Sequence, residues 1–241
     1  MPVLRTKTSR MWLPDALRGL ALLNMLAYHA MYDWVYVFGH ESSWYNIWAP
    51  GCHVWQQYIC WSFILLSGFS FPLAKRPAKN GLIVAGCAAV LTFVTAVFMP
   101  SEAIWFGVLH LLGICMTLYP VYRRLPTQEL AAIGIVLVVT GYLISGTVVE
   151  ARFLFPFGLV YEGFSSSDYF PLLPHLGWYM LGAVLGRTVY AEKKTRLPGS
   201  FRESAIARFF CWCGRQSLFI YLLHQPVVYG LLELIAAIRN A

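Results

Sequence analysis

Four ionisable side chains stand inside the first apolar stretch of the chain, 13–37: Asp15, Arg18, His29 and Asp33. A charge facing lipid is costly, so such residues turn towards a cavity or a partner and mark function by default. Each residue of a helix turns by about 100°. Arg18 and His29 are therefore close to three full turns apart, on one face and about 16 Å from each other along the axis. Asp33 follows His29 at the i,i+4 spacing that lets two side chains touch, and Asp15 lies one turn before Arg18. The four fall within roughly 60° of one another, a single polar stripe, while Asn24 points to the opposite side. A histidine with a carboxylate one turn away is a base with its orienter: the carboxylate sets the imidazole tautomer and raises its basicity. Such a pair can deprotonate a hydroxyl or an amine, or carry an acyl group itself. Arg18 has the chemistry to hold a phosphate or a carbonyl.

These residues need a scaffold, and composition says which kind. Of 241 residues, 59% are hydrophobic and 12% charged, with a mean hydropathy of +0.60. A soluble domain carries about 25% charged residues, so a soluble enzyme, a disordered chain and a coiled coil are excluded. The expected class is an all-α polytopic membrane protein, one domain over 1–241, in a lipid bilayer. Seven apolar stretches can be marked: 13–37, 52–74, 82–99, 103–121, 129–148, 169–190 and 209–238. The first is too long for a cleaved leader, and reads as a signal anchor. Fourteen of the 18 Lys and Arg residues fall in the N-terminal tail and the second, fourth and sixth connections. By the positive-inside rule that alternation predicts seven spans, with the N-terminus cytoplasmic and the C-terminus outside. The net charge of +7 is thereby a topology signal, and no nucleic-acid partner is expected. Trp44, Trp48 and Trp55 suit an interfacial aromatic belt. The six cysteines lack disulfide or zinc spacing and read as buried thiols.

With that orientation, His29, His110, His175 and His224 occupy one slab between the midplane and the outer leaflet. Each alone suits an interhelical hydrogen bond; four on four spans suggest a polar chamber opening outward, floored by Arg18. Asp168 or Ser167 could cap the sixth span, with Asp168 at the chamber mouth. No span carries two histidines or a zincin-type spacing, so no metal is expected. Two rival classes share these residue types. Histidines on different helices can ligate haem in an electron-transfer protein, and a His/Asp stripe can relay protons in a transporter.

The motifs also resemble a known family. Asp15-Ala-Leu-Arg-Gly-Leu-Ala21, Met25 and His29-x-x-x-Asp33 are similar to the opening of the heparan-alpha-glucosaminide N-acetyltransferase catalytic domain. So are Ser67-Gly68-Phe69-Ser70, Phe106 to Gly113, Asp168 to Pro174, and Gly214 to Pro226, which together cover nearly the whole chain in order. Arg18-x10-His29 is similar to a signature of the wider transmembrane acyltransferases. The resemblance, to short bacterial-type members, implies transfer of an acetyl group from cytoplasmic acetyl-CoA to an extracytoplasmic saccharide. It also implies a multi-pass plasma-membrane location, and a homodimer is possible. The lysosomal relative uses a histidine in its first outer loop shortly before Ser-Trp. Here His40-Glu-Ser-Ser-Trp44 is similar, with one extra residue. His29 and His40 thus compete for the catalytic role, and Asp33 and shielding from water favour His29. Arg18 with Asp15 is expected at the CoA end, and His110, His175, His224, Gln225, Arg215 and Asp168 around the acceptor and oxyanion region. Lys193, Lys194 and Arg196 are a plausible dock for the CoA phosphates.

Overall fold

A computed structural model describes residues 11–191 and 204–239. The basic tail residues Arg5, Lys7 and Arg10, and the expected phosphate dock Lys193, Lys194 and Arg196, lie outside the described residues. Among the described residues the fold is helical, and backbone pairing is limited to two isolated bridges, Phe106 with Tyr169 and Val148 with Val160. The main helices are α1 (Trp12–Tyr32), α2 (Pro50–Ser70), α3 (Pro77–Phe98), α4 (Val108–Tyr122), α5 (Thr127–Ile144), α6 (Leu172–Ala191), α7 (Ala205–Arg215) and α8 (Ser217–Arg239). A π turn, Asp33–Val37, continues α1.

Helices α3, α5 and α8 are long and apolar enough to cross a membrane. The expected seventh stretch, 209–238, is two helices rather than one. Gln216 leaves the helical path, and its N–H is shared between the Trp212 and Cys213 carbonyls. With 11 residues, α7 is about 16 Å long, too short to span a bilayer core of about 30 Å.

The chain forms two compact units, Met1–Ser62 with Arg196–Ala241, and Phe63–Thr195. In the first, α7 packs on the start of α1 through glycine. A Cβ on Gly19 would fall on the Phe210 carbonyl, and one on Gly214 on the Asp15 carbonyl. Close backbone approach through small residues is how helices associate without a hydrophobic driving force. Because Asp15 meets Gly214 and Gly19 meets Phe210, α7 runs antiparallel to α1. After the break at Gln216, α8 runs parallel to α1: His224 meets His29 and Tyr229 meets Phe38.

In the second unit, Gly113 of α4 abuts Ala85 of α3, and Gly177 of α6 abuts Gly134 of α5. Helix α4 is capped at both ends by residues distant in sequence. Asp168 Oδ2 accepts the Val108 N–H at 2.9 Å, so Asp168 caps α4 rather than the following helix. Arg187 donates to the carbonyls of Leu125 at 2.7 Å and Arg123 at 3.0 Å. An anion at the N-terminus and a cation at the C-terminus both complement the helix dipole.

Candidate functional site

The polar stripe of α1 begins with an ion pair. Arg18 Nη1 lies 3.1 Å from Asp15 Oδ1, and the two side chains are 15% and 8% exposed. Burying a charge is tolerated when it is paired, and Gly214 lets α7 close over this turn. Asp15 is therefore the counterion of Arg18. Asn24, on the other face, accepts the Trp55 Nε1–H at 3.1 Å. There Tyr28, Tyr45 and Trp55 stack edge to face into an aromatic wall.

Further along, α1 and α8 present two pairs in adjacent layers. The rings of His29 and His224 are 4.8 Å apart between centroids and tilted by 57°. One turn on, Asp33 Oδ1 accepts the Gln225 Nε2–H at 2.9 Å. Asp33 is 1% exposed. Among the described residues its carboxylate bonds Gln225 and makes no hydrogen bond to His29, contrary to the expected base–orienter contact. The α1 helix widens into its π turn at Asp33, a local rearrangement found often at functional sites.

The tautomer of His224 follows from its neighbour. Its Nδ1 bonds the Tyr221 carbonyl, which can only accept, so Nδ1 carries the proton. In the neutral ring the lone pair is then on Nε2. That atom is buried with no partner among the described residues, as are Asp33 Oδ2 and Gln225 Oε1. Three buried acceptors on adjoining residues, each without a donor, are the strongest chemical signal in this unit. Buried polar groups are normally satisfied, and among the described residues no donor reaches these three atoms. His29 stands beside His224.

His40 sits beyond the π turn, stacked on Trp34 with ring centroids 3.8 Å apart. Trp34 follows Asp33 directly, so His40 stacks one position beyond the residue that bonds Gln225. Arg215 is exposed at the end of α7, beside Leu218, Phe219 and Leu222.

His110 and His175 belong to the second unit. His110 is fully engaged: Nδ1 accepts the Gly107 N–H at 3.2 Å, so Nε2–H donates to Thr92 Oγ1 at 3.1 Å, which donates to the Ile104 carbonyl. His175 Nδ1 donates to the Pro171 carbonyl at 2.8 Å. His110 thus closes the N-terminus of α4 beside Asp168, a structural node where two of the family-like motifs meet. No lone pair is left on His110 for a metal. The His29 and His224 rings are in contact, with no gap for a porphyrin plane between them.

Sequence reasoning missed Trp34 beneath His40, Tyr221 behind His224, and Arg187 as a helix cap. None of the three carries a local signal, because each contact is made by the packing.

The family model described as "Heparan-alpha-glucosaminide N-acetyltransferase, catalytic" matches residues 10–226. No curated protein and no solved structure matches the chain. The matched segment runs from the start of α1 through Pro226 of α8, and so includes both layered pairs; the chain belongs to the heparan-alpha-glucosaminide N-acetyltransferase catalytic-domain family.

Proposed function

We propose that this membrane protein is an acetyltransferase that takes its acyl group from acetyl-CoA on the cytoplasmic side. The acceptor is an extracytoplasmic saccharide, and the chain crosses the bilayer seven times with its N-terminus inside. The observation that carries this is the layer of His29, His224, Asp33 and Gln225 on α1 and α8, with Asp33 buried and the other three half-buried, in a chain of this family.

Acyl transfer needs a base for the attacking group and a route for its proton. His29 takes the proton as the acceptor attacks the thioester carbonyl; His224 Nε2, with its lone pair held ready by the Tyr221 carbonyl, receives it in turn. The proton finally serves the departing thiolate, so none is gained or lost overall. Asp33 and Gln225 set the depth of α8 against α1 and so keep the two imidazoles in contact. Arg18, about 16 Å below His29, contacts the pantetheine end of the donor, with Asp15 balancing its charge. Positioned proton transfer of this type contributes about 10²–10⁴-fold.

The test is transfer of labelled acetyl from CoA, supplied to the cytoplasmic face of proteoliposomes, to saccharides on the other face. His29→Ala should lower transfer by about 10²–10⁴-fold. Full activity in that variant would sink the mechanism, and loss in His40→Ala alone would move the base to the loop.

A further inference from the structure

The elbow between α7 and α8 holds a groove of about 320 Å³, lined by Arg215, Gln216, Leu218, Phe219 and Leu222. Small-ligand sites typically have about 300–1,000 Å³. The two ends of this groove differ in chemistry. Arg215 and Gln216 are exposed at the break, where the Gln216 N–H is already bonded to the Trp212 and Cys213 carbonyls. Among the described residues the Arg215 guanidinium has no carboxylate partner. From there Leu218, Phe219 and Leu222 lead along the first turns of α8, a helix long and apolar enough to cross a membrane. Residues three and four apart share a face, so the three form one apolar strip, and Phe219 is 64% exposed.

A second arginine extends the charged end. Arg208 precedes Arg215 by seven residues, so both stand on one face of α7, about 10 Å apart. Both are exposed, and Arg208 likewise has no carboxylate partner among the described residues. Another face of α7 is spent on α1: Cys211 Sγ donates to the Trp12 carbonyl at 3.3 Å, and Gly214 abuts the Asp15 carbonyl. That seam fixes the arginine row outward, with the exposed Trp212 beside it.

We propose that this elbow binds an anionic phospholipid. The headgroup phosphodiester pairs with Arg215, whose planar fork of N–H donors matches two phosphate oxygens, and the Gln216 amide adds a donor. One acyl chain lies over Leu218, Phe219 and Leu222. Arg208 adds charge at headgroup level, and Trp212 suits the membrane interface. Chain order matches the order of groups in a lipid: the cation comes just before a span begins, and the apolar strip follows inside it. In the orientation proposed above this is the inner leaflet. The site is separate from the imidazole pair, since Ser217 precedes His224 by seven residues, about 10 Å along α8. A soluble phosphate would leave the apolar strip uncovered, and an arginine that only sets topology needs no groove.

The experiment is native mass spectrometry of the full chain in detergent, titrated with dioleoyl phosphatidylglycerol and, separately, with dioleoyl phosphatidylcholine. Phosphatidylglycerol should bind saturably and about fivefold or more tightly than phosphatidylcholine, the preference that one arginine near a membrane surface confers. Arg215→Gln should abolish the preference, Arg215→Lys should keep most of it, and Arg208→Gln should reduce it in part. Phe219→Ser should weaken both lipids alike. Melting curves of the lipid-free variants separate lost binding from lost fold. Equal binding of the two lipids, or an Arg215→Gln protein that keeps the preference, overturns the site. Displacement of phosphatidylglycerol by equimolar glycerol 3-phosphate would make the elbow a phosphate site, and displacement by CoA would give the groove to the acyl donor; either result overturns the lipid.

Discussion

Asp33 and Gln225, 192 positions apart in the chain, are joined by a side-chain hydrogen bond of 2.9 Å. This bond ties the end of α1 to α8 one layer beyond the contact of His29 with His224. Its donor is all that the described residues offer the Asp33 carboxylate. Gln225→Leu removes that donor and strands a buried carboxylate, which typically costs about 1–3 kcal/mol or more. A clear drop in thermal midpoint is expected for Gln225→Leu, and a smaller one for Asp33→Asn, whose amide oxygen can still accept. Unfolding followed by circular dichroism in detergent checks both; equal midpoints for Gln225→Leu and wild type would remove the bond from the account.

The two imidazoles differ in kind. His29 makes no side-chain hydrogen bond among the described residues, whereas His224 is fixed by the Tyr221 carbonyl. His29→Ala should therefore lower acetyl transfer by about 10²–10⁴-fold, and His224→Ala by less. His224→Asn, which keeps a donor for Tyr221 but has no titrating nitrogen, should act like His224→Ala on rate while preserving stability. Steady-state rates and melting curves on the same preparations test this, and an active His224→Asn protein would remove the relay.

Gly19 and Gly214 bring α1 and α7 into backbone contact beside the Arg18–Asp15 pair. Gly214→Ala places a methyl group against the Asp15 carbonyl, a rigid neighbour that cannot yield without moving a helix. Overpacking of this sort costs about 1–3 kcal/mol. Gly86→Ala in α3 meets open space and should be neutral or slightly stabilising, since alanine is the better helix former. Comparing the two melting temperatures isolates the contact from propensity.

Asp168 and Arg187 cap opposite ends of α4. Asp168→Ala should destabilise the second unit by about 0.5–2 kcal/mol, as loss of an N-cap does. Hydrogen exchange should then speed up at the Val108 amide first. An effect confined to acetyl transfer, with exchange unchanged, would instead put Asp168 at the substrate.

Some of this was legible in the residues themselves. The polar stripe of Asp15, Arg18, His29 and Asp33 follows from helical spacing, and the i,i+3 pairing of Asp15 with Arg18 is local. Helices α1 to α6 also follow, because a run of residues with one period declares its own element. The break at Gln216 did not. Residues 209–238 are mostly apolar, so composition reads one helix, whereas the chain leaves the helical path at Gln216 between α7 and α8. Asp168 looked like a cap for the helix it precedes, yet it caps α4, because the loop folds back onto Phe106.

The sequence alone thus determined which ionisable groups lie within apolar helices and which of them share a face, since both depend on spacing along one helix. Only the tertiary structure decided that Asp33 bonds Gln225 rather than His29, that His224 is the imidazole beside His29, and that His110 is spent on Gly107 and Thr92. Those choices depend on where α8 or α3 is placed against a partner helix. Side chains within hydrogen-bond reach across two helices are set by packing register, which residue spacing along either helix does not encode.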